Sequence, residues 1–171
     1  MNLKDKIREV PDFPKPGILF YDITTLLADP AAFQDVTGRL TASYRDQHIQ
    51  KVVAVESRGF IFGTPVAERL GAGFVPVRKP GKLPYTTIEE SYALEYGTDR
   101  LCIHKDAISA GERVLIVDDL LATGGTMAAT AKLVKRLGGE IVDIAFVIEL
   151  LFLKGREKLK DLPVSALVAY E

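Results

Sequence analysis

The sequence predicts an α/β protein: a mostly parallel twisted sheet flanked by helices, with a small amino-terminal hood and a mobile lid hairpin. Three observations carry that expectation. The runs at 52–55 and 114–117 are branched and apolar throughout, as in strands covered on both faces of a sheet. Segments with helical periodicity follow them at 59–70 and 127–137, which makes strand-then-helix units. The proline-rich stretch 11–17 and the basic stretch 78–91 carry neither period, so they stand outside the sheet.

Taken in order, residues 4–10 are expected to form a short helix. Residues 11–17 are extended or turned, because Pro11, Pro14 and Pro16 fix their own φ and restrict their neighbours. Residues 30–45 place Phe33, Val36, Leu40 and Tyr44 at helical spacing. The strand at 52–55 and the helix at 59–70 form one βα unit, and 74–77 supplies another strand. Residues 78–91 read as a mobile loop, and two strands, 92–96 and 100–104, return around Gly97. The core strand 114–117 leads to the helix 127–137 and the strand 141–150. A short helix around 154–160 and a strand at 164–169 close the chain. A single domain is expected over 1–171, with a hood at about 1–30 and a lid at about 78–97.

Length and composition fit a soluble globular enzyme: 171 residues, 47% apolar, with a formal charge of −1. That balance offers no broad basic field, so nucleic acid is not an expected partner. The first residues lack an apolar core for secretion, and no stretch is long enough to cross a bilayer uncharged, so no membrane partner and a cytoplasmic location are expected. Cys102, the only cysteine, sits between Leu101 and Ile103 and reads as a small core residue. His48 and His104 form no metal constellation with it.

The chemistry concentrates in 114–126. Asp118 and Asp119 follow the apolar run where a parallel strand surfaces, and ligands of open parallel sheets bind at those carboxyl ends. Ala122, Thr123, Gly124, Gly125 and Thr126 then make a turn into a helix. Glycines let an anion approach the main chain, threonines add hydroxyls, and the helix start supplies unpaired amides and the positive end of its dipole. Two carboxylates beside a phosphate cradle repel a polyphosphate but suit hydroxyl groups or a hydrated magnesium ion. A sugar phosphate satisfies both halves. No lysine follows the glycines as in a nucleotide-triphosphate loop, and the dinucleotide Gly-x-Gly-x-x-Gly pattern is missing. An isolated Asp-Asp pair is more often a helix cap than a site; the strand, acid pair and Thr-Gly-Gly-Thr together reverse that balance.

A second strand-to-helix turn, Glu56-Ser57-Arg58-Gly59, offers amides and a permanent forked cation suited to another phosphate. The bland reading of that turn is a surface arginine paired with Glu56 or Glu68. Arg78, Lys79 and Lys82 form a basic loop ahead of the acidic Glu89, Glu90 and Glu95.

The segment Val-Asp-Asp-Leu-Leu-Ala-Thr-Gly-Gly-Thr resembles the phosphoribosyl diphosphate motif of type I phosphoribosyltransferases, and the whole run from Val10 to Glu171 is similar to their adenine-specific branch. The resemblance continues through Pro11-Asp12-Phe13-Pro14-Lys15-Pro16-Gly17, Glu56-Ser57-Arg58-Gly59-Phe60, Arg78-Lys79-Pro80-Gly81-Lys82-Leu83-Pro84, Leu94-Glu95-Tyr96-Gly97 and Leu153-Lys154-Gly155-Arg156-Glu157. It implies transfer of the 5-phosphoribosyl group of phosphoribosyl diphosphate to adenine, giving AMP and diphosphate, with Mg2+ required and a homodimer as the assembly. It places the ribose hydroxyls on Asp118 and Asp119, the 5-phosphate on 122–126, and the diphosphate on Ser57 and Arg58, after a cis Glu56–Ser57 peptide. Arg78, Lys79 and Lys82, as a group, cover the diphosphate, in their own or a neighbouring subunit. Adenine is sandwiched by Phe20 and Leu120 and read by backbone groups near Leu19 and Tyr21. Tyr21 departs from the arginine frequent there in the family, which removes any side-chain contribution of that arginine. Glu95 engages the N7 side of the purine, and Tyr96 helps close the lid.

Two alternatives share part of this pattern. A phosphoribosyltransferase for hypoxanthine, guanine or orotate would use the same 118–126 site, and the hood and Leu-Glu-Tyr-Gly favour adenine over them. A noncatalytic regulator that senses phosphoribosyl diphosphate and binds nucleic acid would need a DNA-binding element that the sequence does not display.

Overall fold

The computed structural model describes residues 1–94 and 96–171, and the chain divides into two compact units, Met1–Arg39 and Leu40–Glu171. The first unit opens with a 3-10 turn, Leu3–Lys6, followed by β1 (Arg8–Pro11) and β2 (Leu19–Asp22). These two pair antiparallel from Arg8 opposite Asp22 to Pro11 opposite Leu19. The connection carries a cis Phe13–Pro14 bond, and Asp12 Oδ1 accepts the Gly17 N–H at 2.8 Å. The helix expected over 4–10 is therefore corrected to a single 3-10 turn and a strand. The ladder to β2, reinforced by Arg8 Nε 3.1 Å from Asp22 Oδ2, overrides a weak helical pattern.

After α1 (Thr24–Ala28), Asp29 accepts the N–H groups of Ala31 and Ala32 at 3.0 and 3.1 Å, which caps α2 (Pro30–Ala42) with proline at its first position. Lys6 Nζ lies 2.7 Å from Asp29 Oδ2, and this hydrogen bond is the main reason the Asp29 carboxyl is held below its usual range.

The second unit is built on β3 (Lys51–Val55), α3 (Arg58–Leu70), β4 (Gly73–Val77), β5 (Thr87–Ala93), β6 (Thr98–His104), β7 (Arg113–Leu121), α4 (Gly125–Arg136), β8 (Glu140–Leu150) and β9 (Val164–Tyr170). Five of these strands form one parallel sheet in the order β4-β3-β7-β8-β9. Both faces are covered. Val53, Val55, Val114, Ile116, Ile144 and Phe146 cluster with Met127, Ala131, Leu133 and Val134 of α4. The alternate residues Ala54 and Phe74 meet α3 instead, where Phe60 crosses the Phe74 ring edge-on at 5.5 Å. Fully burying each such Val, Leu or Ile contributes roughly 1.5–3 kcal/mol, which is why the uninterrupted apolar runs settle here.

The remaining pair, β5 and β6, is an antiparallel ribbon from Thr87 opposite His104 to Ala93 opposite Thr98. Arg78 and Cys102 exchange backbone hydrogen bonds of 3.0 and 2.7 Å and tie the ribbon to the end of β4. Strand β5 begins at Thr87, so the loop expected over 78–91 ends earlier than its composition suggested. The helix expected around 154–160 is two 3-10 segments, Leu151–Leu153 and Gly155–Leu159. Among the described residues no helix is long and apolar enough to cross a membrane.

Candidate active site

Strands β3 and β7 lie side by side and run the same way, from Lys51 opposite Val114 to Ala54 opposite Val117. From this pair the chain crosses outward in opposite directions, β3 to β4 on one side and β7 to β8 on the other. That is the topological switch point at which open α/β sheets leave a crevice beyond their carboxyl ends. A cleft of about 510 Å³ lies there, lined by 55–59 from one turn and 118–127 from the other, with Phe146 beneath.

The two turns end at helix starts. Neither Ser57, before α3, nor Gly124, before α4, caps its helix with a side chain, so first-turn amides at both helix starts, apart from the Phe60 N–H that donates to the Ser57 carbonyl at 3.2 Å, are left for an anion. Gly124 sits at φ 84°, and a Cβ on it would lie 2.4 Å from the Gly155 carbonyl oxygen, so both its conformation and its space demand glycine. Glu56–Ser57 is a cis peptide, as the family pattern implies.

Between the helix starts stands the acid pair. Asp118 Oδ1 accepts the Asp119 N–H at 2.9 Å, and a Cβ on Gly59 would come within 2.8 Å of that same oxygen, so Gly59 lets α3 start against the end of β7. Withdrawal from water, and then the neighbouring Asp119 charge, push the Asp118 carboxyl well above the usual carboxylate range. Asp119 is 5% exposed, and its Oδ2 lies 2.8 Å from Arg58 Nε. The bland partners of Arg58, Glu56 and Glu68, are thus replaced by a residue of the acid pair. The strand itself runs on through Leu121, paired with β8 from Asp118 opposite Phe146 to Leu121 opposite Glu149. The aspartates therefore project from a strand rather than from a loose turn.

Not every anticipated residue gathers here. Asp118, Asp119, Leu120, Ala122, Thr123, Gly124, Gly125, Thr126, Ser57 and Arg58 all line the cleft. Arg78, Lys79 and Lys82 do not. Arg78 Nε lies 3.3 Å from Glu56 Oε1, which also accepts the Lys79 backbone N–H at 2.6 Å. Lys79 Nζ donates to Asp99 and, at 3.1 Å, to Tyr92 Oη; burial works to lower its ammonium, but these bonds outweigh that and leave it raised. Lys82 is exposed. Tyr96, at the ribbon's tip, is 86% exposed. Glu95 lies outside the described residues. Leu19, Phe20 and Tyr21 occupy β2 of the first unit, where Phe20 meets Phe13 edge-on at 5.1 Å.

Sequence reasoning missed Glu56 as the anchor of the basic loop, Asp99 and Tyr92 as partners of Lys79, and Gly155 as the support of the phosphate turn. Only Gly155 left a signal, within the Leu-Lys-Gly-Arg-Glu block. Cys102 is buried in the core, which pushes its thiol up and keeps it inert.

A model of the phosphoribosyl transferase domain matches residues 22–164. The adenine phosphoribosyltransferase of Acaryochloris marina is 61% identical over 170 residues, covering 99% of this chain and 100% of that protein. The chain belongs to the adenine phosphoribosyltransferase family. Solved members of that family share its fold. The adenine phosphoribosyltransferase of Thermoanaerobacter pseudethanolicus superposes with a TM-score of 0.94 at 54% identity, covering 98% of each chain. The Saccharomyces cerevisiae enzyme, solved with an imino-altritol bisphosphate and adenine, gives 0.91 at 45% identity and 96% coverage of each. Membership in the adenine phosphoribosyltransferase family accounts for a cleft that brings two helix starts and an acid pair together.

Proposed function

We propose that this cleft transfers the 5-phosphoribosyl group of phosphoribosyl diphosphate to N9 of adenine, giving AMP and diphosphate, as a step of purine salvage. The observation that carries the proposal is the placement of two uncapped helix starts on either side of Asp118 and Asp119 in one cleft. A ribose with an anion at each end fits that order of groups. The 122–126 amides take the 5-phosphate, the aspartates take the ribose hydroxyls, and Ser57 and Arg58 take the diphosphate.

The attacked carbon gains positive character as its bond to diphosphate lengthens, and the leaving group gains negative charge. Positioning and electrostatic stabilisation by fixed donors therefore do the catalytic work, and no covalent nucleophile is needed. Arg58, half-exposed in the cleft, is the cation assigned to the leaving group. Arg78, Lys79 and Lys82 are assigned to the same charge in a mobile lid at about 78–97, with Tyr96 closing it, in a homodimer whose subunits share these loops. Glu95 is assigned to the N7 side of the purine, where it assists the proton shift. Adenine contacts are assigned by family resemblance to Leu19, Phe20, Tyr21 and Leu120.

Among the described residues no three His, Cys, Asp or Glu side chains gather into a metal-holding group. The donors present, two carboxylates beside a phosphate cradle, suit a hydrated Mg2+ that would be carried in on substrate oxygens and water. Bound this way the ion would neutralise diphosphate charge. A cytoplasmic location fits this reaction.

The test is a magnesium-dependent assay with phosphoribosyl diphosphate and each purine base, quantifying the nucleotide formed. AMP formation with adenine as the preferred base is expected. Preferred turnover of hypoxanthine or guanine, or binding of phosphoribosyl diphosphate without nucleotide formation, contradicts the proposal.

A further inference from the structure

Arg58 and Asp119 are assigned to different parts of one substrate, the cation to the diphosphate and the carboxylate to the ribose diol, yet here they hold each other. Arg58 Nε lies 2.8 Å from Asp119 Oδ2, with the Asp119 side chain 7% and the Arg58 side chain 46% exposed. Both line the same cleft, Arg58 as the first residue of α3 and Asp119 near the end of β7.

We propose that this ion pair is a specificity element: Arg58 and Asp119 exchange partners on binding, so the cleft favours a ligand bearing both a vicinal diol and a diphosphate over one bearing either alone. The inference rests on the phosphoribosyl diphosphate reading of the cleft.

A ligand with the diol alone displaces Arg58 from Asp119 and leaves the guanidinium without an anion. A ligand with the diphosphate alone draws Arg58 away and strands a nearly buried carboxylate beside Asp118, and an uncompensated buried charge is costly. A ligand with both groups breaks one ion pair and satisfies both partners. Binding of the two halves is therefore positively coupled, and the coupling is reciprocal. Two bare anionic ligands side by side repel, but magnesium shared between them couples them favourably, so loss of the coupling in Asp119→Asn, and not its sign alone, separates the exchange from electrostatics.

Asp118 provides the matched control. It holds the Asp119 N–H, whereas the Arg58 ion pair is to Asp119, so Asp118→Asn removes an acid from the pair while keeping the Arg58–Asp119 contact.

The experiment is calorimetric titration at fixed magnesium with ribose 5-phosphate and inorganic diphosphate, each alone and in the presence of the other. In the parent protein each ligand is expected to tighten the other by about tenfold, within the usual range of coupling between sites. In Asp119→Asn, diphosphate alone should bind more tightly than to the parent and the coupling should vanish; in Asp118→Asn the coupling should persist. Absent or negative coupling in the parent, or coupling unchanged in Asp119→Asn, overturns the exchange. Failure of ribose 5-phosphate to bind the parent at all refutes the reading of the cleft together with the exchange, whereas binding without coupling refutes the exchange alone.

Discussion

Gly124 and Gly155 meet backbone to backbone: a Cβ on Gly124 would lie 2.4 Å from the Gly155 carbonyl oxygen, and a Cβ on Gly155 would lie 2.4 Å from the carbonyl oxygen of Ala122. The phosphate turn is thus braced by a segment that follows the next strand, some thirty residues on. Gly155→Ala should force the turn to move, at a cost of roughly 1–3 kcal/mol from overpacking. Steady-state kinetics should show KM for phosphoribosyl diphosphate raised more than KM for adenine. Unchanged kinetics in a folded variant would show that the brace does not set the turn.

Replacing Asp118 and Asp119 together by asparagine should leave a folded protein, because both positions keep their shape. Turnover should fall by about a hundredfold or more, as when a fixed electrostatic contact to the reacting group is lost. Circular dichroism and the AMP assay check the two halves; full activity in the folded variant would reject the contacts assigned to the pair.

Asp118 also makes stability depend on pH. Its folded carboxyl lies above the unfolded value of 3.8, chiefly through withdrawal from water. Its contribution is fully present below the unfolded value and is lost as pH rises through the folded one. Asp118→Asn removes that loss, so the variant should gain Tm over the parent as pH is raised from about 4 toward 8. A gain of a few degrees is expected, since about 1 kcal/mol moves Tm by roughly 2–4 °C in a domain of this size. A difference independent of pH would show that the carboxyl titrates normally.

Glu149 is 4% exposed in β8 and is held by Arg156 through bonds of 2.6 and 2.7 Å. Arg156→Ala strands that carboxylate and drops the bond to the Val164 carbonyl at 2.9 Å. Because Arg156 is half-exposed, water softens the loss, and about 2 kcal/mol is expected. Urea unfolding measures it; a change under about 0.5 kcal/mol, the scale of a neutral surface substitution, would contradict the role.

Tyr44, 6% exposed, donates its hydroxyl to Asp143 at 2.5 Å, and Ser165 donates to the same oxygen at 2.7 Å. Tyr44→Phe leaves the Asp143 carboxylate one donor short and should cost about 1–3 kcal/mol in the same unfolding measurement. No loss of stability would mean that water replaces the hydroxyl.

The sheet was legible because its strands are buried on both faces, and a run such as Val52 to Val55 has no other stable place. The acid pair and phosphate turn were legible because they are local, with strand, carboxylates and glycines consecutive in the chain. What depended on distant partners was not. The strand Arg8–Pro11 exists through pairing with β2, which a window over 4–10 does not contain. Strand β5 hides its alternation because Glu90 shares the inward face with Ile88 and Tyr92, satisfied there by Arg136 of α4 at 3.1 Å. The continuation of β7 past Val117 follows from the length of β8 beside it. The Arg58–Asp119 pair joins the start of α3 to the end of β7, an adjacency that only the strand order creates.

The central claim is that the acid pair and the turn after it hold the two ends of one sugar phosphate. A crystal structure with ribose 5-phosphate tests it most directly. The phosphate is expected against the main-chain amides of 122–126 and the vicinal hydroxyls on Asp118 and Asp119. A ligand seated elsewhere, with this cleft empty at saturating concentration, contradicts it.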